Sequence, residues 1–354
     1  MTEASISPAR TVAFDVLLRT STGGYASDLL MTFSAGLDSR DAGLASEIVF
    51  GCLRYQPQLD AVLDPRLGDR KLDPEVRIIL RMGAYQLRHL DRVPAYAAVG
   101  ESVELARRAG KHSAAGLINA ILRHLRRGPV KWADRATALC MPAWLLERWD
   151  AHYGRAAADG IARAALEKPE TATASTGRMQ DIGSQSIVPL LEIEPGHTFL
   201  DVCAAPGNKT AQAIERGARA VACDLYVRRL AALRDLPCLR VALNATRPLP
   251  FRSRFDRILV DAPCSGTGTL ARNPEIKYRL KAADLAAYQA RQVAILRNAL
   301  PLLAPGGRLV YSTCSLEREE NEAVIAKFPG AWQTGMRLPG REAGDGFFFA
   351  VLTC

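Results

Sequence analysis

Two cysteines stand where the sequence predicts reactive chemistry. The strings Pro263-Cys264-Ser265 and Thr313-Cys314-Ser315 each follow a run of apolar residues typical of a buried strand. A third string of mostly small residues, Cys203 to Thr210, lies upstream of both and is typical of a loop that binds a nucleotide. A thiolate is the side chain best suited to add to C6 of a cytosine, which makes C5 nucleophilic. The three strings therefore predict thiol chemistry on a base.

The two cysteines are predicted to have different roles. Cys314 is the predicted nucleophile, because the strand before it would deliver it to the carboxyl edge of a sheet. Asp261, three residues before Cys264, is predicted to bind the N3/N4 edge of the base as charge develops there. Cys264 is predicted to assist loss of the C5 proton or expulsion of Cys314. A single buried cysteine is more often a small hydrophobic residue, but two of them at strand ends favour chemistry.

The small-residue loop and the strand ends that follow it predict a cofactor with an adenosine group. The small side chains and Gly207 let backbone amides approach a ligand at a helix N-terminus. The loop lacks the GxGxxG spacing, which counts against a dinucleotide. Asp224 ends the next predicted strand and is placed to accept hydrogen bonds from ribose hydroxyls. Asn244 follows the third strand and would lie in the same crevice.

Strands and helices that would position these residues alternate from His197 onward. The predicted strands are His197–Cys203, Ala220–Asp224, Cys238–Leu243, Arg257–Ala262 and Gly307–Thr313. Such alternation predicts a parallel sheet covered by helices on both faces, with the loops gathered at its carboxyl edge. A last strand is predicted over Gly346–Leu352, joining the edge of the sheet.

The first part of the chain has a different pattern. From about residue 7 to about residue 128, apolar residues recur at spacings of three and four, which predicts an all-α domain of about five to seven helices. Residues 131–180 predict one or two short helices and then a linker rich in Thr, Ala and Ser. We therefore expect a helical domain over 1–130, a helical linker over 131–180 and an α/β domain over 181–354.

A basic stretch in the helical part predicts a face that binds RNA. Between Arg107 and Lys131 the positive residues meet no acid in the sequence, and phosphate contacts are also predicted downstream of the Cys264 string. The predicted RNA-binding residues are Arg107, Arg108, Lys111, Arg123, Arg126, Arg127, Arg272 and Lys277.

Composition narrows the class of protein. The chain has 354 residues, 48% of them hydrophobic, and a formal net charge of +9, which favours a polyanionic partner because guanidinium groups pair with phosphate. Its eight cysteines form no CxxC pair and no Cys/His cluster at zinc spacing, so we expect no metal. No run of about 18 apolar residues predicts a membrane span. We expect a cytoplasmic protein with free thiols that acts as a monomer.

Five longer strings carry a resemblance to a known family. They are FLDVCAAPGNKT, AVACDLYVRRL, ILVDAPCSGTGTLARNPEIKYR, GGRLVYSTCSLEREENEAVI and DGFFFAVL. In this order they resemble the RsmB/Sun (Fmu) type of ribosomal RNA cytosine-C5 methyltransferases, within the Nol1/Nop2/Sun group. The strings RDAGLASEIVFGCLRYQPQLD and GLINAILRHLRR resemble the NusB-like RNA-binding domain of the same family. The resemblance implies a NusB-like helical domain followed by a Rossmann-like, class I methyltransferase domain.

The resemblance also implies a reaction and residues for it. The reaction is transfer of a methyl group from S-adenosylmethionine to C5 of a cytosine in RNA, with small-subunit (16S) rRNA as the expected substrate. The catalytic residues implied are Cys314, Cys264, Asp261 and Lys209. The cofactor-binding residues implied are Cys203, Ala204, Ala205, Pro206, Gly207, Asn208, Lys209, Asp224, Arg229, Asn244 and Asp261.

The chain departs from the family pattern at three places. Asn208 stands where a second glycine is usual, and asparagine tolerates left-handed backbone better than most residues. Asn244 stands where an aspartate is usual near the adenine, and its amide can accept a hydrogen bond but carries no charge. Residues 131–180 leave too little chain for the small α/β subdomain that the family places before its methyltransferase domain.

Two other classes of protein remain open. A non-catalytic RNA-binding or ribosome assembly factor would keep this fold, and Asn244 together with the missing subdomain motivates that alternative. The intact cysteines, Asp261 and Lys209 argue against it. A nicotinamide-dependent oxidoreductase is motivated only by the α/β pattern, and the absent GxGxxG disfavours it.

Overall fold

The computed structural model describes residues 6–125, 128–170 and 172–354. The chain divides into two compact units. The first, here the helical unit, consists of Met1–Glu167 and Ala271–Tyr278. The second, the sheet unit, consists of Lys168–Leu270 and Arg279–Cys354. This division falls at residue 167, whereas the sequence predicted boundaries at 130 and 180.

Helices with buried apolar faces make up the helical unit. Within the described residues, six α-helices end by Arg123, in agreement with the five to seven predicted. The N-terminal helices of this unit are α1 (Pro8–Ser21), α2 (Ala26–Phe33), α3 (Ser39–Leu67), α4 (Pro74–His89), α5 (Ala95–Arg108), α6 (Ala115–Arg123), α7 (Arg135–Ala138), α8 (Ala143–Tyr153) and α9 (Arg155–Ala164). Asp38 caps α3 by accepting the amide of Asp41 at 2.8 Å, and Gly68 ends it at φ 57°.

The core of the helical unit forms between α3 and α4. Ile79, Leu80 and Met82 of α4 are fully buried, as are Ile48, Leu59 and Leu63 of α3. A Cβ at Gly51 would lie 1.9 Å from the ring of Tyr85, so this close approach of the two helices requires glycine.

Nine strands and six helices belong wholly or partly to the sheet unit, counted over its described residues. The strands are β1 (Ala172–Thr173), β2 (Met179–Gln180), β3 (Thr198–Asp201), β4 (Arg219–Asp224), β5 (Leu239–Ala242), β6 (Phe255–Asp261), β7 (Leu303–Thr313), β8 (Gln333–Arg337) and β9 (Phe347–Thr353). The helices are α10 (Ile182–Gln185), α11 (Asn208–Glu215), α12 (Val227–Leu230), α13 (Ile276–Arg279), α14 (Leu285–Ala299) and α15 (Glu322–Ile325). Part of the predicted linker is thus an antiparallel hairpin, β1–β2.

Seven of the described strands form one sheet in the order β5-β4-β3-β6-β7-β9-β8. The first five are parallel, as predicted, and β9 is antiparallel to both of its neighbours. The prediction that the last strand lies at the sheet edge was wrong. The strand β8, which the sequence did not predict, pairs with the outer side of β9 and forms the edge instead.

Alternating side chains of the central strands fill two separate cores. Leu200, Ile258 and Leu309 face one side, where they join buried residues of α14 and α15. Their neighbours Phe199 and Leu259 face the other side, against the 3₁₀ helix Val188–Leu191 and α11. A parallel strand buried on both faces needs apolar residues at successive positions, which explains the continuous apolar runs in the sequence.

The order of the strands predicts where a ligand binds. From β3 the chain continues to β4 on one side, and β6 then pairs with the opposite side of β3. The loops that leave β3 and β6 therefore diverge, and such a switch point opens a crevice at the carboxyl edge of the sheet.

Candidate active site

The two predicted reactive cysteines meet at the carboxyl edge of the sheet. Their Sγ atoms lie 3.4 Å apart, although the residues are 50 positions apart in sequence. Cys314 is half-buried, whereas Thr313, Ser315 and Leu316 around it are fully buried. The hydrogen bond with Cys314, together with burial, raises the pKa of the Cys264 thiol well above its ordinary value. Cys264 therefore keeps its proton and lies within hydrogen-bond distance of the Cys314 sulfur.

Asp261 and Lys209 form an ion pair beside the cysteines. The Lys209 Nζ donates to Asp261 Oδ2 at 2.6 Å, and the Ser312 hydroxyl donates to Asp261 Oδ1 at 2.7 Å. Sheet register explains the second contact, because Asp261 lies directly opposite Ser312 in the β6–β7 pair. The Nζ also lies 5.0 Å from the ring centroid of Phe347. All four predicted catalytic residues thus lie on or beside β6 and β7, or at the first turn of α11.

A cavity of about 470 Å³ opens at the same edge of the sheet. Six of the predicted cofactor-binding residues line it: Cys203, Ala205, Asp224, Arg229, Asn244 and Asp261. The other five, Ala204, Pro206, Gly207, Asn208 and Lys209, belong to the same loop and the start of α11 but do not line the cavity. Nine further residues line the cavity that the sequence did not predict to bind the cofactor, among them Leu225, Tyr226, Arg291 and Ile295.

The loop before α11 depends on glycine and on an unusual asparagine. Gly207 adopts φ +99°, and a Cβ there would lie 2.5 Å from Leu233. Asn208 makes two contacts that a glycine could not make: its Oδ1 accepts from Arg178 Nε at 2.8 Å, and its Nδ2 donates to the Met179 carbonyl at 3.1 Å. Arg178 also donates to the Pro206 carbonyl at 3.1 Å. This departure from the family pattern therefore ties the β1–β2 hairpin to the loop.

Asp224 and Asn244 differ in how much of their hydrogen-bonding capacity is used. Asp224 is 5% exposed, accepts from the Tyr226 amide at 3.0 Å and lies 3.4 Å from Arg229 Nη1. The Asn244 Oδ1 accepts from both the amide and the hydroxyl of Thr246, at 3.0 and 2.8 Å. Both acceptor positions of this oxygen are thus used within the local turn, and the Nδ2 amide group of Asn244 is the part left to bond a ligand.

Asp201, at the end of β3, gives folding stability a pH dependence. Burial raises the pKa of this carboxyl to about 7, although Thr210 donates a hydrogen bond to it at 2.7 Å. An unfolded aspartate has a pKa of about 3.9, so between that pH and about 7 the folded state binds more protons than the unfolded state. The free energy of unfolding that this extra proton contributes is therefore lost as the pH rises through that interval.

We expect Asp201→Asn to remove this dependence. In denaturant titrations at pH 5 and pH 8, wild type should lose stability relative to the variant at a rate of up to about 1.4 kcal/mol per pH unit. Parallel stability curves for the two proteins would contradict the assignment.

Gly268 holds the two halves of the cysteine site in contact. Its amide donates to the Cys314 carbonyl, and its own carbonyl accepts from the Gly346 amide, both at 2.9 Å. A Cβ at this position would lie 2.5 Å from the Gly346 oxygen and 2.8 Å from the Cys314 oxygen. Both obstacles are backbone atoms, so side-chain motion cannot relieve the clash.

Gly268→Ala is therefore expected to destabilise the protein by about 1–3 kcal/mol through overpacking. Thermal unfolding measures the loss. Gly43→Ala is the control, because nothing lies within 4 Å of a Cβ at that helical position. An equal change in the two melting temperatures would show that the backbone relaxes freely around residue 268.

The structure corrects two expectations about the RNA-binding residues. The cations of α5 and its following turn were predicted to meet no acid. Instead Arg107 pairs with Glu104, Arg108 with Asp15, and Lys111 with Asp73 and Glu75. Glu104 lies one helical turn from Arg107, but the other three acids are distant in sequence. The sequence between residues 107 and 131 therefore could not reveal them. Arg123 is exposed and donates to Asn119 at 3.0 Å, while Arg126 and Arg127 lie outside the described residues.

Lys277 was predicted to contact phosphate, and that prediction was wrong. It is 2% exposed, its Nζ donates to the Arg54 carbonyl at 2.9 Å, and burial lowers its pKa to about 8. The lysine is a buried part of the helical unit and cannot reach a polyanion. Arg272, five residues earlier, is half-buried.

A second group of cations in the helical unit was not predicted. Arg70, Lys71, Arg77 and Arg81 line a cavity of about 520 Å³. Two aspartates of α3 hold part of the group: Arg81 bonds Asp60 through two nitrogens, at 2.8 and 2.7 Å, and Arg77 pairs with Asp64. The gathering of charge depends on the packing of α4 against α3, which the sequence alone does not show.

Within the described ranges, no helix is both long and apolar enough to cross a bilayer.

Comparison with known proteins identifies the family. The model of the 16S rRNA methyltransferase RsmB/F family matches residues 188–334, and that of the NusB family matches residues 7–127. The chain is 36% identical to ribosomal RNA small subunit methyltransferase B of Thermus thermophilus, over 97% of each chain. It is 32% identical to the Citrobacter koseri protein of the same name, over 93% of this chain and 95% of the relative.

A solved structure supports the same fold. The crystal structure of PH0851 superposes with a TM-score of 0.79 at 19% identity, covering 99% of this chain and 100% of that one. The predicted fold class, a NusB-like helical domain followed by a Rossmann-like methyltransferase domain, is confirmed. The chain belongs to the RsmB/F family of 16S rRNA methyltransferases.

Proposed function

We propose that this protein transfers a methyl group from S-adenosylmethionine to C5 of a cytosine in small-subunit ribosomal RNA. The observation that carries the proposal is the pair of sulfur atoms 3.4 Å apart, at the ends of two parallel strands, next to the Lys209–Asp261 ion pair. Family membership supports the class of substrate, since the named relatives are ribosomal RNA small subunit methyltransferases.

The residues of the cavity fit the proposed cofactor. A volume of about 470 Å³ lies in the ordinary range for a site that encloses a small organic ligand. Asp224 supplies buried carboxylate oxygens, which suit the hydroxyls of a ribose, and the backbone around Ala205 can approach closely. When bound, S-adenosylmethionine supplies an electrophilic methyl group. Asp261 lines the cavity as well, and it lies three residues before Cys264.

Cys314 is the nucleophile in the proposed reaction. Its thiolate adds to C6 of the cytosine, forming an S–C6 bond and moving an electron pair towards C5. C5 would then take the methyl group of the donor, whose sulfonium–methyl bond breaks to leave a neutral thioether. The C5 proton then passes to solvent water, its electron pair returns to the ring, and the S–C6 bond breaks to release the Cys314 thiolate. Cys264, which lies within hydrogen-bond distance of Cys314 and keeps its proton, donates a hydrogen bond to the departing Cys314 sulfur and so assists the departure of the product.

Lys209 and Asp261 hold the base in the proposed mechanism. When the thiolate adds, negative charge develops on the N3 side of the ring, where the Lys209 ammonium stabilises it, while the Asp261 carboxylate accepts a hydrogen bond from the N4 amino group. The second hydrogen bond of Asp261, from Ser312, fixes the carboxylate before the base arrives. The site therefore has little reorganisation to complete during the reaction.

The helical unit is the proposed RNA-binding part. Its match to the NusB family, the net charge of +9 and the cations around the cavity at Arg70 and Lys71 support a polyanionic partner. RNA binding should therefore weaken steeply with salt. The predicted contacts at Arg107, Arg108, Lys111 and Arg123 remain candidates, although acids compensate the first three.

A second candidate function is that of a non-catalytic RNA-binding or assembly factor. Asn244, whose oxygen is engaged by Thr246, favours it because the adenine side of the cavity carries no carboxylate there. Calorimetry with S-adenosylmethionine separates the two functions. A catalytic protein binds the cofactor, whereas a protein that keeps only the fold does not.

Transfer of label tests the proposed function directly. Purified protein is incubated with methyl-labelled S-adenosylmethionine and unmodified 16S rRNA, and the RNA is digested to nucleosides. Label is expected in 5-methylcytosine. Label in another nucleoside, or none while a catalytically active relative labels the same RNA, would overturn the proposal.

A further inference from the structure

One buried carboxylate joins the segments that carry both cysteines. Glu320 is fully buried, and its side chain accepts the amide of Ser265 at 2.8 Å. It also accepts the hydroxyls of Ser265 and Ser315. Ser265 directly follows Cys264, and Ser315 directly follows Cys314. A single side chain therefore bonds the residue after each cysteine.

The α14 helix completes this arrangement. Gln292, also fully buried, donates its amide to Glu320 at 2.9 Å and to the Pro263 carbonyl at 3.1 Å. Glu320 thus accepts four hydrogen bonds, which matches the capacity of an ionised carboxylate. Burial raises the pKa of Glu320, while the bonds from Ser265 and Ser315 act in the opposite direction.

Contacts of neighbouring residues fix the segment of backbone that carries Glu320. The Tyr311 hydroxyl donates to the backbone carbonyl of Glu320 at 2.6 Å. Asn321 accepts from the Thr313 hydroxyl at 2.6 Å and donates to the Ser315 carbonyl at 2.9 Å. The segment after Cys314 therefore folds back onto its own strand and presents Glu320 to the loop after β6.

We propose that Glu320 is a positioning residue that fixes the two cysteine thiols relative to one another, so that both act in turn on one base. This inference rests on the proposed function. Hydrogen bonds to a charged carboxylate are shorter and about twice as strong as neutral ones, so Glu320 holds the two loops more rigidly than a neutral group could. Glu320 acts through the two serines that it bonds: Ser315 positions the nucleophile, and Ser265 positions the assisting thiol.

Glu320→Gln tests the proposal with little change of shape. Glutamine can stay bonded to both serines but offers one acceptor oxygen and no charge, so the loops remain linked and become looser. We expect kcat to fall on the order of tenfold to a hundredfold, because sub-ångström misplacement of reacting groups is costly. The dissociation constant of S-adenosylmethionine and the KM for RNA should stay near wild type. Glu322→Gln is the matched control, because that glutamate is exposed.

Rates are expressed per active site, counted by trapping on RNA that contains 5-fluorocytosine. A merely structural role would lower the number of active sites and leave the rate per site unchanged. Ser315→Ala should slow formation of the covalent adduct, and Ser265→Ala should lengthen its lifetime on ordinary RNA. These two variants also serve if Glu320→Gln does not fold.

The outcomes distinguish this inference from the proposed function. If wild type forms neither adduct nor 5-methylcytosine, the proposed function fails. If wild type is active and Glu320→Gln, or both serine variants, keep the wild-type rate per site and adduct lifetime, the positioning role of Glu320 is overturned.

Discussion

Cys314→Ala is expected to abolish methyl transfer and adduct formation together, whereas Cys264→Ala is expected to hold RNA covalently on the protein. Loss of a nucleophile costs on the order of 10⁴-fold or more in turnover. Without Cys264 the S–C6 bond can still form, because Cys314 keeps its place at the end of β7. What is lost is the half-buried thiol 3.4 Å away that assists product release.

A denaturing gel with radiolabelled RNA measures this difference, because a covalent complex migrates more slowly than free protein. Cys354→Ala is the control, since that cysteine directly follows β9 and is exposed. Equal adduct levels in the Cys314 and Cys264 variants would show that the two roles are assigned incorrectly.

Asp261→Asn is expected to lower turnover by about 10²–10⁴-fold, the range for a group that takes part in general acid–base chemistry. The new amide would keep the hydrogen bond from Ser312 through its oxygen. Its nitrogen would then face the Lys209 ammonium at the position where a carboxylate oxygen now accepts at 2.6 Å, so that a donor opposes a donor. The variant therefore loses both the placement of Lys209 and the negative charge of residue 261 that would face the edge of the base.

Initial rates of methyl transfer measure the effect, and calorimetry measures cofactor affinity in the same variant. We expect cofactor affinity to fall by less than about tenfold, or 1.4 kcal/mol. Asp235→Asn is the control, because that carboxylate is 85% exposed. Turnover of Asp261→Asn within a few-fold of wild type would exclude a role for this carboxylate in the reaction.

Local patterns in the sequence predicted most of the sheet unit and its site. Apolar runs that end in polar residues located the parallel strands, and the carboxyl-edge rule brought the loop at Cys203, Asp224 and both cysteines to one crevice. In the structure Cys203 and Asp224 line one cavity, and the two cysteine sulfurs lie 3.4 Å apart at the same edge of the sheet without lining that cavity. Such predictions succeed because strand direction and side-chain alternation depend on neighbouring residues.

Features that depend on distant partners could not be predicted. Glu320 lies in the acidic string Glu319-Glu320-Asn321-Glu322, which by composition is typical of a solvated surface, yet it is fully buried because the serines after both cysteines surround it. Lys277 was also predicted to be exposed, because a lysine in a stretch with arginines is typical of a basic surface patch, yet it is buried. The basic stretch at Arg107 was judged without Asp15 and Asp73, which are more than thirty residues away.

The position of β7 in the sheet restricts which parts of the site can move. Parallel β6 lies on one side of it and antiparallel β9 on the other, and β8 covers β9 in turn. The hydrogen-bond ladders on both sides of β7 would have to break before the strand could shift, and such interior ladders open only with the unfolding of their whole cooperative unit. Cys314, at the end of this strand, is thus anchored, and in the proposed reaction the nucleotide has to travel the full distance to it.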